Sequence, residues 1–346
     1  MSDSVSRIFE DLDPRVLASV SKRAIEQSMI IQHIPAPTFQ EAERALYVAE
    51  QMKALDLGEV EIDDMNNVYG LLQGAHQDAM HVMISAHMDT VFPIHTDLTS
   101  RREHESIYGP GLGDNSLGVA SLLAMAQYLR DTRAVPACNV WLVATTREEG
   151  LGDLGGMKAA FERLRGCVSR VINLEGLAYG YVYNCGIAVR RLEISAHADG
   201  GHSWLHFGRA SAIHGLIDLG ARICAMQPPA NPRTTYNIGM IAGGSSINSV
   251  AAQARMWLDL RSESRVALEE LEQQVHEHIA AVQHEALRFD VEIVGDRPAG
   301  ALPPSHELVQ DSLDILRLLG VQGALEVGST DANVPLAAGC PAVTIG

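Results

Sequence analysis

His81-Val82-Met83-Ile84-Ser85-Ala86-His87-Met88-Asp89-Thr90 is an apolar run of strand length that ends in a histidine and an aspartate two residues apart. The run is too short for a helix and reads as a buried strand. Reactive groups of open α/β sheets sit beyond the carboxyl ends of strands, which is where His87 falls. An imidazole there can ligate a metal, with Asp89 holding the ring from behind. The plainer alternative is a hydrogen-bonded structural histidine.

Upstream, residues 14–56 read as two amphipathic helices broken at Ile34-Pro35-Ala36-Pro37-Thr38, because a proline pair cannot continue a helix. Thr38 with Glu41 three residues later predicts a capping box. Short strands follow at Val60–Ile62 and Val68–Leu72. Downstream come a helix at Ser116–Leu129, a buried strand at Asn139–Thr145, a helix near Gly155–Leu164 and a strand at Arg170–Leu174. This alternation predicts an α/β fold, a mixed and mostly parallel sheet with helices on both faces. From about Arg190 the order becomes strand, helix, strand, strand, helix, strand, which is ferredoxin-like α+β. After Pro303-Pro304 a helix (His306–Leu319) and a strand (Ala342–Ile345) resume the first style. The expected domains are therefore 1–187 with 295–346, interrupted by 188–294.

Three more motifs carry acids. Gly109-Pro110-Gly111-Leu112-Gly113-Asp114-Asn115-Ser116 leads into a helix, where Asp114 either caps the helix or bridges two cations. In Thr145-Thr146-Arg147-Glu148-Glu149-Gly150 two adjacent glutamates in a turn repel unless a cation or proton intervenes. Asn173-Leu174-Glu175-Gly176 places one more acid just past a strand. One histidine and four acids thus fall at expected strand ends. Nitrogen and oxygen ligands without thiolates suit zinc, cobalt or manganese.

Composition agrees. A chain of 346 residues suits two domains, and 47% hydrophobic with 20% charged residues is ordinary for a globular protein. The net charge of −17 argues against nucleic-acid or anionic-membrane partners. Cys138, Cys167, Cys185, Cys224 and Cys340 form no C-x-x-C pair, so buried free thiols are expected. The amino terminus has no basic start followed by an apolar run, and the expected location is the cytoplasm.

The order His87-x-Asp89, Asp114-Asn115, Glu148-Glu149 and Glu175 resembles the M20 family of metallopeptidases, across nearly the whole chain. The resemblance implies two divalent metals. His87 and Glu175 would hold one, Asp114 would bridge and Glu149 would hold the second. Glu148 would be the general base, with Asp89 orienting His87. The interrupting domain would be a lid and homodimerisation module. Its His202, in Gly200-Gly201-His202-Ser203-Trp204, and its Asn248 and Arg261 resemble substrate-binding positions. For Arg261 a surface pair with Asp259 or Glu263 is the alternative. Ser329 and Asp331, in Gly328-Ser329-Thr330-Asp331, resemble a loop that supports the metals. The family's last metal ligand is a histidine after the strand that here ends at Ile345, so the natural chain is expected to continue beyond Gly346. The expected activity is hydrolysis of the amide bond of di- or tripeptides. The alternatives are an N-acyl-amino-acid deacylase, or a non-catalytic binding member that lacks the last ligand.

Overall fold

The computed structural model describes residues 3–76 and 78–346. Its contacts divide the chain into two units, one of residues 1–186 with 300–346 and one of 187–299.

The first unit opens with helices α1 (Asp3–Asp11), α2 (Pro14–Gln32) and α3 (Ala42–Ala54). Strands β1 (Gly58–Ile62), β2 (Val68–Leu72) and β3 (His81–His87) follow, then a small hairpin of β4 (Arg101–Glu103) and β5 (Ser106–Tyr108). Helix α4 (Leu117–Thr132), strand β6 (Val140–Thr145), helix α5 (Gly155–Leu164), and strands β7 (Val168–Leu174) and β8 (Tyr181–Gly186) complete this leg. The break between α2 and α3 falls at the expected prolines, but the capping box does not form. The Thr38 hydroxyl donates to Asp89 Oδ2 at 2.9 Å instead, and Glu41 Oε1 accepts the N–H of Phe39 at 3.0 Å.

The second unit contains β9 (Ala188–Ala198), β10 (Gly201–His202), α6 (Ala212–Cys224), β11 (Thr234–Gly243), β12 (Ser249–Val250), β13 (Gln253–Ser262), α7 (Arg265–Val282) and β14 (Leu287–Arg297). Its main sheet runs β11-β13-β9-β14 with antiparallel neighbours, the ferredoxin-like order. Alternation along β9 and β13 sends Leu192, Ile194, Met256 and Leu258 inward against Leu216 and Leu219 of α6 and Leu268 and Leu271 of α7.

The chain then returns to the first unit through β15 (Gly300–Ala301), α8 (Glu307–Leu318), β16 (Ala324–Gly328), α9 (Asn333–Ala337) and β17 (Ala342–Ile345). The first unit's sheet runs β1-β2-β6-β3-β7-β17-β8-β15, with β16 alongside β8. β3, β6, β7 and β17 are mutually parallel, and β17 lies between β7 and β8. On one face Met83 and Trp141 pack against Met157 and Phe161 of α5. On the other, Ala86, Leu142 and Ala144 pack against Val48 of α3 and Val119 and Leu122 of α4. The fold is thus a mostly parallel α/β sheet with helices on both faces, carrying an α+β insertion.

Strands β8, β15 and β16 and the β4–β5 hairpin lie in stretches whose sequence gave no strand reading. The cysteines are all free thiols, but Cys224 is exposed and the other four are half-buried, not fully buried as expected. Among the described residues no helix is long and apolar enough to cross a membrane.

Because the second unit is continuous in sequence and has its own core, residues 187–299 expressed alone should unfold cooperatively and retain a mixed α/β circular dichroism spectrum. A non-cooperative, coil-like fragment would show that its core depends on the rest of the chain.

Candidate metal centre

His87 ends β3, Glu148 and Glu149 follow β6, and Glu175 follows β7, all at the carboxyl ends of neighbouring parallel strands. Period-two alternation then fixes the face. Ser85 pairs with Asn173, so His87 and Glu175, two residues on, project together, and His87 Nε2 lies 3.3 Å from Glu175 Oε2. Asp114 corrects the sequence reading, because it follows no strand end. It arrives on the loop before α4, its Oδ1 lies 3.1 Å from His87 Nε2, and it makes no capping bond. Asn115 does that work: its Oδ1 accepts from Gly118 N at 3.1 Å and Gly176 N at 3.0 Å, and its Nδ2 donates to Leu174 O at 2.8 Å. A Cβ at Gly176 would lie 2.2 Å from the Gly113 oxygen, so only glycine lets the two loops approach this closely.

Asp89 is fully buried and does more than back the histidine. Its Oδ1 lies 3.5 Å from His87 Nδ1, while the Asp89 carbonyl is nearer at 3.1 Å. The carboxylate accepts the N–H of Glu148 at 2.9 Å, the N–H of Glu149 at 3.0 Å and the Thr38 hydroxyl. These bonds pin the Glu-Glu turn against the histidine strand. Beside it Arg147 adopts a left-handed φ of 56°, its N–H donates to Glu41 Oε1 at 3.2 Å, and its guanidinium sits 5.3 Å over the Phe39 ring. Thr38 and Glu41 are site residues that sequence reasoning read only as helix caps.

Below the acids lies a buried polar layer. The Ser85 hydroxyl donates to Asn173 Oδ1 at 2.9 Å, Asn173 Nδ2 donates to Thr344 at 3.3 Å, and Thr344 meets Thr330 at 2.7 Å. Asp331 is fully buried and accepts from the Thr145 hydroxyl at 2.6 Å.

Two groups of donors lie close enough to share a cation, His87 with Asp114 and Glu175, and His87 with Glu148 and Glu149. Asp114 Oδ1 and Glu175 Oε1 are buried without an aligned hydrogen bond. Buried carboxylate oxygens left this way are costly unless a cation or proton satisfies them, so the donor set fits a divalent ion. The charges carry the same message. Burial, then the charges of Glu148 and Asp114, pushes the Glu149 carboxyl from 4.5 up to about 8. Burial and the charge of Glu148 push Asp331 up to about 7. Burial alone would lower the His87 pKa, but Glu175, Asp114 and Asp89 hold it well above 6.5. Burial alone would raise Asp89, yet His87 and the two N–H donors keep it below 3.8.

Within the second unit, His202 pairs with Ser249, and Ser203 N donates to Asn248 O at 2.9 Å, so His202 and Asn248 share one end. Arg261 lies near the far end of β13, on the order of 26 Å from that strand's start at about 3.3 Å per residue. Its Nε donates to Asp259 Oδ2 at 2.6 Å, the pairing alternative foreseen from the sequence. Asn248 and Arg261 of one chain therefore cannot grip the same carboxylate.

Residues 67–188 match the family described as Peptidase family M28, and residues 186–286 match the Peptidase dimerisation domain. A succinyl-diaminopimelate desuccinylase from Corynebacterium glutamicum is 26% identical over 322 residues, 90% of this chain and 85% of that protein. The aminopeptidase PepT from Bacillus cereus superposes with a TM-score of 0.73 at 21% identity, covering 94% of this chain and 90% of its own. The dipeptidase Dug1p from Saccharomyces cerevisiae gives 0.76 at 12% identity, covering 100% and 92%.

Two outcomes follow from this geometry. Asn115→Ala removes the tie between the Asp114 and Glu175 loops, and should cost about 1–3 kcal/mol of stability and about 10- to 100-fold in metal affinity, read by melting with and without zinc; an unchanged affinity would refute the tie. The second concerns pH. A carboxyl whose pKa rises on folding binds its proton more tightly folded than unfolded, so Glu149 lowers metal-free stability as pH climbs from 4.5 toward about 8. The raised His87 pKa acts in the same direction, its contribution being full below 6.5 and lost as pH rises through the folded value. The metal-free melting temperature should therefore be lower at about pH 8.5 than at about pH 6, with added zinc narrowing the gap. A metal-free protein more stable at the higher pH would contradict the assigned charges.

Proposed function

Since the chain belongs to the M20-family metallopeptidases and amidohydrolases, we propose that it hydrolyses the amide bond of small peptides, di- or tripeptides, with Glu148 as general base. The observation that carries this reading is the pair of donor groups meeting at His87, with the Glu148-Glu149 turn held by Asp89. His87, Asp114 and Glu175 would hold one divalent ion, and Asp114 and Glu149 a second. Such ions, zinc or else cobalt or manganese, would supply Lewis acidity toward the scissile carbonyl and acidify the attacking water.

The residues of the chain do the rest. Glu148 takes the proton of the attacking water and returns it to the leaving amine. Asp89 fixes the direction of Glu148 through the backbone N–H and keeps the ring of His87 in place. Asp331 sits in the buried layer beneath, where burial and then the charge of Glu148 raise its pKa. His202, Asn248 and Arg261 are proposed substrate-binding groups, for which a homodimer would bring the His202–Asn248 end of one copy to the substrate of another. A second reading, an N-acyl-amino-acid deacylase, is supported by the desuccinylase relatives at 26% identity. The place of action in this reading is the cytoplasm.

Glu148→Gln should lower turnover of a dipeptide panel by about 100- to 10,000-fold while bound metal stays near the wild-type amount. Loss of metal in that variant would make Glu148 a ligand, and unchanged turnover would remove it from the chemistry.

A further inference from the structure

Helix α3 buries one charged side chain beside its apolar ones. Ala45, Val48, Ala49 and Met52 lie in the core at helical spacing, and Arg44 next to them is only 1% exposed. A guanidinium is seldom buried so completely, and its hydrogen bonds must then be made inside the protein. Arg44 makes them to backbone. Its Nε and Nη2 both donate to the Ile34 carbonyl, at 3.0 and 2.5 Å, and its Nη1 donates to the Met88 carbonyl at 2.6 Å. Burial lowers its pKa to about 10 while the charge of Asp89 opposes that shift, so the group is a cation at neutral pH.

The two carbonyls belong to the segments that meet at Asp89. Ile34 follows α2 and opens the proline loop that carries Thr38, whose hydroxyl donates to the Asp89 carboxylate. Met88 is fully buried and stands between His87 and Asp89. Its N–H donates to the Thr145 carbonyl at 2.7 Å, and the N–H of Thr90 donates to the Ala36 carbonyl at 2.9 Å. Because a peptide unit is planar, the bond from Arg44 to the Met88 carbonyl also fixes the nitrogen of Asp89. Asp89 in turn faces His87 Nδ1 with its own carbonyl, at 3.1 Å, and accepts the N–H groups of Glu148 and Glu149 with its carboxylate. One guanidinium thus stands behind both the imidazole and the Glu-Glu turn. Arginine suits the task because its planar fork reaches two carbonyls at once, whereas a lysine ammonium is a point charge on a flexible stem.

We propose that Arg44 is a positioning residue of the metal centre: through the Met88 carbonyl it holds Asp89, and through Asp89 the His87 ring and the direction of Glu148. This rests on the metal-hydrolase reading above and adds to it a residue that is not among the metal donors.

The test compares the full wild-type chain with Arg44→Met, which removes charge and fork, and Arg44→Lys, which keeps the charge and loses the fork. Circular dichroism first sets a temperature at which each is folded. Zinc affinity, the visible absorption bands of the cobalt-loaded protein, and kcat and KM on a dipeptide panel are then measured. Both variants should bind zinc about 10- to 100-fold more weakly and lose kcat by about as much, as changes behind metal ligands do. KM should stay near the wild-type value, and the cobalt bands should shift. A Lys variant with wild-type bands and kcat would show that the fork does not matter and overturn the proposal. So would a lower melting temperature with affinity, bands and kcat unchanged, a loss carried by KM alone, or failure of both variants to fold, each of which makes Arg44 a residue of the fold only. A wild type that binds zinc but turns over no dipeptide would sink the hydrolase reading alone, since affinity and cobalt bands still decide the role of Arg44. A wild type that binds neither metal would overturn both.

Discussion

The buried carboxylate of Asp89 is the constraint on which the rest of the site depends. One side chain gathers the N–H groups of Glu148 and Glu149, the hydroxyl of Thr38 and the edge of the His87 ring. Those partners come from the turn after β6, the loop between α2 and α3, and the end of β3. A charged acceptor in a low-dielectric interior makes strong, directional bonds, and it is costly to leave any of them unmade. The interior around Asp89 therefore has one arrangement, and the direction of Glu148 is set by backbone and not by its own flexible side chain. Asn115 plays the matching part on the other side, tying the loop of Asp114 to that of Glu175 with neutral amide bonds.

This precision concentrates negative charge. Asp114, Glu148, Glu149 and Glu175 converge on one imidazole, and Asp331 lies buried beneath them. Without a cation, burial first and then this repulsion favour the protonated forms, which pushes Glu149 up to about 8 and Asp331 up to about 7. The site is thus built at a cost to the stability of the metal-free chain, which a divalent ion held by the same carboxylates would offset.

Much of this was legible in the residues. The apolar run before His87, the strands before Glu148 and Glu175, and the change of grammar near Arg190 led to the fold, because periodicity and strand length are local properties. The acids stood out in the sequence because each sits beside a glycine or a strand end, where a solvated surface charge is uncommon. What could not be read depended on partners distant in sequence. Thr38 and Glu41 carry a local capping signature, but the Asp89 carboxylate 51 residues from Thr38 competes for the hydroxyl and wins. Asp114 looked like a strand-end acid because its loop is held by distant partners, through bonds from Asn115 to residues about 60 positions away and from Gln32 to the Pro110 carbonyl. Tyr181 and Tyr183 show an alternation of period two, yet the stretch is short and polar at its ends, and its strand exists only because β17 and β16 flank it. Arg261 resembled a carboxylate clamp, and the acid two residues before it proved the nearer partner.

The position of β17 has a consequence for how the protein is made. This strand fills the gap between β7 and β8, two strands synthesised more than 150 residues before it. Until residues 342–345 emerge, the facing edges of β7 and β8 carry unpaired backbone groups, a ready template for another chain. The second unit, whose strands all lie between residues 188 and 297, is complete by then and can fold while the first waits. Synthesis therefore passes through a half-built stage, with a finished module attached to an open sheet. That stage, more than the mature protein, is where aggregation and the demand for chaperones concentrate, and a substitution in Ala342–Ile345 would be felt first as a loss of yield.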